Sequence, residues 1–132
     1  MRSLFVTGHS LGGALAKVFI CRLYELREHE VDRRKLRIIT FGSPAVGKRN
    51  FRLYFEGKFK NSVRIVNRAD LVAFTPPFFY NHVGKEVWLN PKKKELNIGW
   101  KKRLLYSLKT PRRYLRDHSM DEYINALSSQ KA

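Results

Sequence analysis

The chain has 132 residues, 43% of them hydrophobic with nine Phe and six Tyr, which excludes an intrinsically disordered composition. A chain of this length can bury roughly 68–70% of its unfolded surface, so a genuine core is within reach. Lysine and arginine number 27 against 11 acidic residues, a formal charge of +16 that favours anionic partners or, more simply, a solvated basic face.

Leu4 to Thr7 is a short apolar run of β-formers and reads as a buried strand. Gly8-His9-Ser10-Leu11-Gly12-Gly13 follows, and then a helix to about Glu28. Leu11, Leu15, Val18, Phe19 and Leu26 recur at helical spacing and form its expected apolar face, with Lys17, Arg22 and Arg27 at polar positions. Cys21 lies on the inner part of that helix as a small core residue. A second buried strand runs from Leu36 to Phe41 and is closed by Gly42-Ser43-Pro44. Residues 48–59 are compatible with a helix, weakened by Gly57. Ser62 to Asn67 is a third strand, ending in Arg68-Ala69-Asp70, and Val83 to Leu89 a fourth, stopped by Asn90-Pro91. Strands alternating with helical stretches predict an α/β fold with a mainly parallel sheet of about four strands flanked by helices.

Beyond Pro91 the character changes. Lys92 to Arg116 is strongly basic, yet Trp100, Leu104, Leu105, Tyr106 and Leu108 among the charges are compatible with a short basic amphipathic helix, on whose apolar side Lys101 intrudes. A closing helix is expected from Met120, with Ser119 and Glu122 at capping-box spacing and Tyr123, Ile124 and Leu127 as its apolar face. There is no internal repeat. The single cysteine excludes an internal disulfide, no apolar run approaches a membrane span, and the N-terminus does not read as a secretory signal. These features incline the expected location toward the cytoplasm.

The strongest signal is G-x-S-x-G at residues 8–12, bounded by a strand and an amphipathic helix. A serine on a tight strand-to-helix turn projects its hydroxyl above the sheet edge. Such a turn crowds the neighbouring chain, so Gly8 and Gly12 are expected to relieve collisions there. The helix directs its amide-rich end at the site, and the Leu11 amide is placed to donate to an oxyanion. His9, inside the motif, is expected to point elsewhere and to be structural.

A serine hydroxyl becomes a nucleophile when a histidine takes its proton and a carboxylate orients that histidine. Asp70 fits the acid because it directly follows the third strand, in the crevice outside the strand ends. Asp32 lies in a turn on the wrong side of the sheet, Asp117 abuts the candidate histidine, and Asp121 suits a helix's first turn. His118 fits the base, in a loop before a capped helix. His82 is its rival at the start of a strand, and His29 comes too early. No His or Cys pair has metal-ligand spacing, so a metal hydrolase is not expected.

With these residues in place, GHSLGGALA around Ser10 resembles the elbow of the fungal-type class 3 lipases. TFGSPAVG at 40–47, VRIVNRADLV at 63–72, HVGKEVWL at 82–89 and DHSMDEY at 117–123 are similar to that family's landmarks, in its order. The resemblance implies an α/β-hydrolase fold that cleaves lipid acyl esters without a cofactor, and some relatives act on phospholipids or feruloyl esters. It also places Ser10, Asp70 and His118 at the family's nucleophile, acid and base positions. Family members carry several strands, a lid and a second oxyanion donor ahead of the elbow. The chain is therefore expected to be a single, N-terminally truncated domain over 1–132, with Leu11 as its one oxyanion donor, no lid and a hydrophobic first-strand edge. The alternative expectation is an impaired fragment that binds anionic membrane surfaces through the basic C-terminal third. Nucleic acid is a weaker partner, because no nucleic-acid module is present. Nothing in the sequence specifies an oligomeric state.

Overall fold

The computed structural model describes residues 3–76, 79–89, 94–96, 105, 109 and 113–129. Its five-stranded sheet follows chain order: β1 (Leu4–His9), β2 (Leu36–Phe41), β3 (Ser62–Asn67), β4 (Lys85–Leu89) and β5 (Lys94–Leu96). The first four strands are parallel, and β5 adds an antiparallel edge. Accompanying them among the described residues are the helices α1 (Leu11–Leu26), α2 (Arg49–Lys58) and α3 (Met120–Ser128). Parallel pairing brings the C-terminal ends of β1, β2 and β3 to one side of the sheet, where open α/β sheets place their sites.

Alternation along the strands gives the sheet two apolar faces. On one, Leu36 and Ile38 of β2 meet Ile20, Cys21 and Tyr24 of α1, with Phe55 and Phe59 from α2 and its exit. Burial pushes the Cys21 thiol pKa up to about 11, as befits a core side chain. On the other face, Tyr123 and Ala126 of α3 pack with Leu89, and Phe41, Ile65 and Val87 border them.

Some boundaries differ from those expected. β1 continues to His9 because its pairing with β2 runs to Phe41. β4 begins at Lys85 rather than Val83, since Gly84 sits at φ +84°, outside the extended region. The larger correction concerns α1. Its buried residues are Gly13, Ala16, Lys17, Ile20, Cys21 and Tyr24, while Leu11, Leu15, Val18, Phe19 and Leu26 are exposed. The helix is apolar on both sides, so periodicity alone selects neither. The close approach of the elbow backbone fixes its rotation, and the small residues Gly13 and Ala16 face the sheet.

α3 starts as expected, with the Ser119 hydroxyl accepting the Glu122 N–H at 3.3 Å. The Glu122 carboxylate does not return to Ser119 but meets Arg68 at 3.4 Å, so only half of the capping box forms. Ile124, expected on the apolar face, is exposed. The basic amphipathic helix expected within Lys92–Arg116 falls largely outside the described residues. No helix among the described residues is long and apolar enough to cross a membrane.

Candidate active site

The turn from β1 into α1 is held in a strained conformation. Ser10 has φ 56° and ψ −129°, a region that side-chain-bearing residues rarely occupy unless their surroundings enforce it. Its N–H donates to Phe41 O at 2.9 Å and its carbonyl accepts the Gly13 N–H at 3.0 Å. A Cβ on Gly8 would lie 2.3 Å from Gly12 O, so this position requires glycine. Gly12, expected to matter equally, would meet nothing within 4 Å. The second close approach belongs to Gly13, whose Cβ would lie 2.7 Å from that of Ser43.

The three side chains singled out in the sequence converge above this turn. Ser10 Oγ and His118 Nε2 are 2.8 Å apart, and His118 Nδ1 lies 3.0 Å from each Asp70 carboxylate oxygen. With an ionised Asp70, Nδ1 carries the imidazole proton and donates it to the carboxylate. Nε2 is then left to accept the Ser10 hydroxyl, a tautomer assigned from the network. Asp70 is fully buried, yet it is well supplied with donors. Its Oδ1 accepts the Val72 N–H at 2.9 Å and the Ala73 N–H at 3.4 Å, and its Oδ2 accepts the Tyr123 hydroxyl at 2.6 Å. Residues 48 and 108 positions apart along the chain thus meet at the C-terminal ends of β1 and β3.

The lipase (class 3) family model matches residues 2–80. The chain belongs to the class 3 lipase family. It is 40% identical over 88 residues to a lipase from Rhizopus niveus, covering 65% of this chain and 22% of that protein. It is 34% identical over 113 residues to the chloroplastic phospholipase A1-Igamma2 of Arabidopsis thaliana, covering 67% of this chain and 21% of that protein. Among solved structures, one described as a triacylglycerol lipase whose catalytic centre is formed by a serine protease triad superposes with a TM-score of 0.71 at 31% identity. That superposition covers 89% of this chain and 46% of the other. The fold is accordingly that of an α/β-hydrolase, and the chain spans about a fifth of the length of these curated relatives.

In this member of the family, four residues at the site escaped the sequence reading or were misplaced by it. The Tyr123 hydroxyl, besides donating to Asp70, accepts the Asn67 N–H at 3.0 Å and so ties α3 to the end of β3. Gly42, at φ +55°, runs beneath the acid–base contact. A Cβ there would lie 2.5 Å from Asp70 Oδ2 and 3.1 Å from His118 Nδ1. His9 does not point away: its Nε2 lies 2.7 Å from the His118 carbonyl, and the two rings stack with centroids 4.7 Å apart. Asp117, weighed as a rival acid, is buried and accepts the Ala69 N–H at 3.1 Å, steadying the loop that carries Asp70. Burial raises its carboxyl pKa. The one available signal was adjacency, in GSP after β2 and DH before α3. The remaining rivals lie elsewhere. Asp32 caps a turn through the Arg34 N–H, Asp121 is exposed in the first turn of α3, His29 follows α1, and His82 lines a cavity beside α2.

Behind the elbow, on the α1 side, lies a second buried group. Lys17 is wholly inaccessible, and its ammonium donates to Ser43 Oγ at 2.8 Å and Pro44 O at 3.4 Å. Burial, aided by the nearby Arg64 charge, lowers its pKa from 10.5 to about 7.

Proposed function

We propose that the protein hydrolyses lipid acyl esters through an acyl-enzyme formed on Ser10. The observation that carries this reading is the unbroken contact from Ser10 Oγ to His118 Nε2 at 2.8 Å and from His118 Nδ1 to Asp70 at 3.0 Å. Ser10 Oγ attacks the ester carbonyl carbon as its proton passes to His118 Nε2, giving a tetrahedral oxyanion. Collapse expels the alcohol, which takes the proton from His118. Water then repeats the sequence and releases the acid. Asp70 orients the imidazole and stabilises its cationic form.

Leu11 opens α1 directly after Ser10, so its N–H belongs to the first turn, where donors lack intrahelical acceptors. It is the oxyanion donor in this reading. Its relatives' names point to triacylglycerols and phospholipids as the substrate class. A fluorophosphonate probe tests the proposal: the folded protein is expected to be labelled, and Ser10→Ala and His118→Ala to abolish labelling. Labelling that survives Ser10→Ala, or its absence from folded wild type, removes the reading.

A further inference from the structure

A cavity of about 690 Å³ opens between α2 and the first residues of β3 and β4. β3 rises about 16 Å from Ser62 to Asn67, so this cavity stands at the opposite end of the strand from Asp70. Its floor is the ion pair of Arg64 with Glu86, which are register partners and largely buried. At its rim stand Arg52, Lys60 and Lys85.

The charges around the cavity do not cancel. Arg52 engages Glu56 at 3.2 Å, and Arg64 engages Glu86, so each carboxylate in the wall faces a guanidinium. Lys60 and Lys85 form no ion pair among the described residues. They are exposed, on adjacent segments, because Lys85 stands opposite Val63 at the start of β3. Ser62 also lines the cavity, and Gly84 approaches it closely, since a Cβ there would sit 2.7 Å from Ser62 Oγ. Two unpaired ammonium groups and a hydroxyl around a polar floor match a compact dianion. Phosphate, with several acceptor oxygens, is the chemistry that lysine point charges recognise.

We propose that this cavity binds a phosphate monoester or inorganic phosphate dianion through Lys60 and Lys85, apart from the reacting serine. The group is supplied either by a soluble phosphate or by a phosphorylated lipid headgroup. Neither source needs Ser10, so the site can be tested in protein that has lost its nucleophile.

Two binding measurements on the full chain decide it, each made with wild type, Ser10→Ala, Lys60→Gln/Lys85→Gln, and Arg22→Gln/Arg27→Gln as a control of equal charge at the C-terminal end of α1. One is calorimetric titration with inorganic phosphate. The other is co-sedimentation with phosphatidylcholine vesicles with and without phosphatidic acid. Removing both cavity lysines is expected to weaken binding about 100-fold, roughly tenfold for each, while Ser10→Ala and the α1 control leave it unchanged. Dependence on the lysines in the titration alone assigns a soluble ligand, and dependence in the vesicle arm assigns a lipid headgroup. Dependence in neither arm, or an equal loss from the α1 control, overturns the proposal.

Discussion

Asp70 and Lys17 are both fully buried near the Ser10 turn, yet they are met by their surroundings in opposite ways. On the α3 side, Asp70 is surrounded by donors: the His118 ring, the Tyr123 hydroxyl and two backbone amides. On the α1 side, Lys17 has two acceptors, and Arg64 adds repulsion. Burial is common to both, and what distinguishes the two sites is the number and sign of the groups that face each charge. The carboxylate is met by four donors, whereas burial leaves the ammonium close to losing its proton at neutral pH.

The largest expected effect comes from breaking the first cluster at its closest point. Gly42→Ala would drive a methyl to 2.5 Å from Asp70 Oδ2 and hold an alanine at φ +55°. Asp70 and His118 must then separate. Ester hydrolysis is expected to fall about 10²–10⁴-fold, in the range seen when a triad histidine loses its orienting acid. Turnover of a short-chain p-nitrophenyl ester measures it. Gly57→Ala is the control, because a Cβ there meets nothing within 4 Å. Retained activity in a folded Gly42→Ala protein would deny that the acid–base contact matters.

Tyr123→Phe weakens the same cluster without crowding it. Asp70 loses one donor, and the buried Asn67 N–H loses its acceptor. Leaving that amide unmet is expected to cost about 1–3 kcal/mol of stability, read by urea unfolding. Turnover should fall with it, because the carboxylate is less firmly placed. An unchanged unfolding midpoint would mean that α3 is not anchored through this hydroxyl.

Lys17→Met sharpens the contrast from the other side. From about pH 7 to 10.5 the unfolded chain keeps a proton that folded Lys17 has released. Lys17 therefore makes stability rise with pH across that window, by about 1.4 kcal/mol per pH unit, with no such slope below it. Replacing the lysine should raise stability at pH 7 by roughly 1–3 kcal/mol and remove the Lys17 contribution to the slope. Unfolding free energies of the two proteins at several pH values decide it. Parallel profiles would show that Lys17 stays protonated throughout.

The reach of sequence reasoning divides along the same line. The elbow is legible because its chemistry is local: a strand, two glycines about a serine and a helix lie within one short segment. Asp70 and His118 are legible because each sits just after or just before a recognisable element. Tyr123 is not, since its hydroxyl meets a carboxylate 53 residues away and its ring looks like any other apolar anchor of α3. Lys17 falls among the polar positions of a helix that is apolar on both sides, so its burial has no signal in the sequence. What decides its rotation is the backbone contact between Gly8 and Gly13, a three-dimensional fact with no periodic signature. The fifth strand, antiparallel and three residues long, carries no pattern that length and alternation could reveal.

The smallest expected effect separates the two glycines of the elbow helix and touches the Lys17 cluster through one of them. A Cβ on Gly13 would press on the Ser43 side chain, 2.7 Å from its Cβ and 3.0 Å from its Oγ, and that hydroxyl is the nearer acceptor for Lys17. Gly13→Ala should therefore destabilise the fold and displace a partner of the buried ammonium. Gly12→Ala reaches no atom within 4 Å, so it contributes only the helix preference of alanine, a gain of about 1 kcal/mol or less. Thermal unfolding of the two variants should move in opposite directions. If both fall together, the helix is packed against something at Gly12, and the crowding that sets α1's rotation is not confined to Gly8 and Gly13.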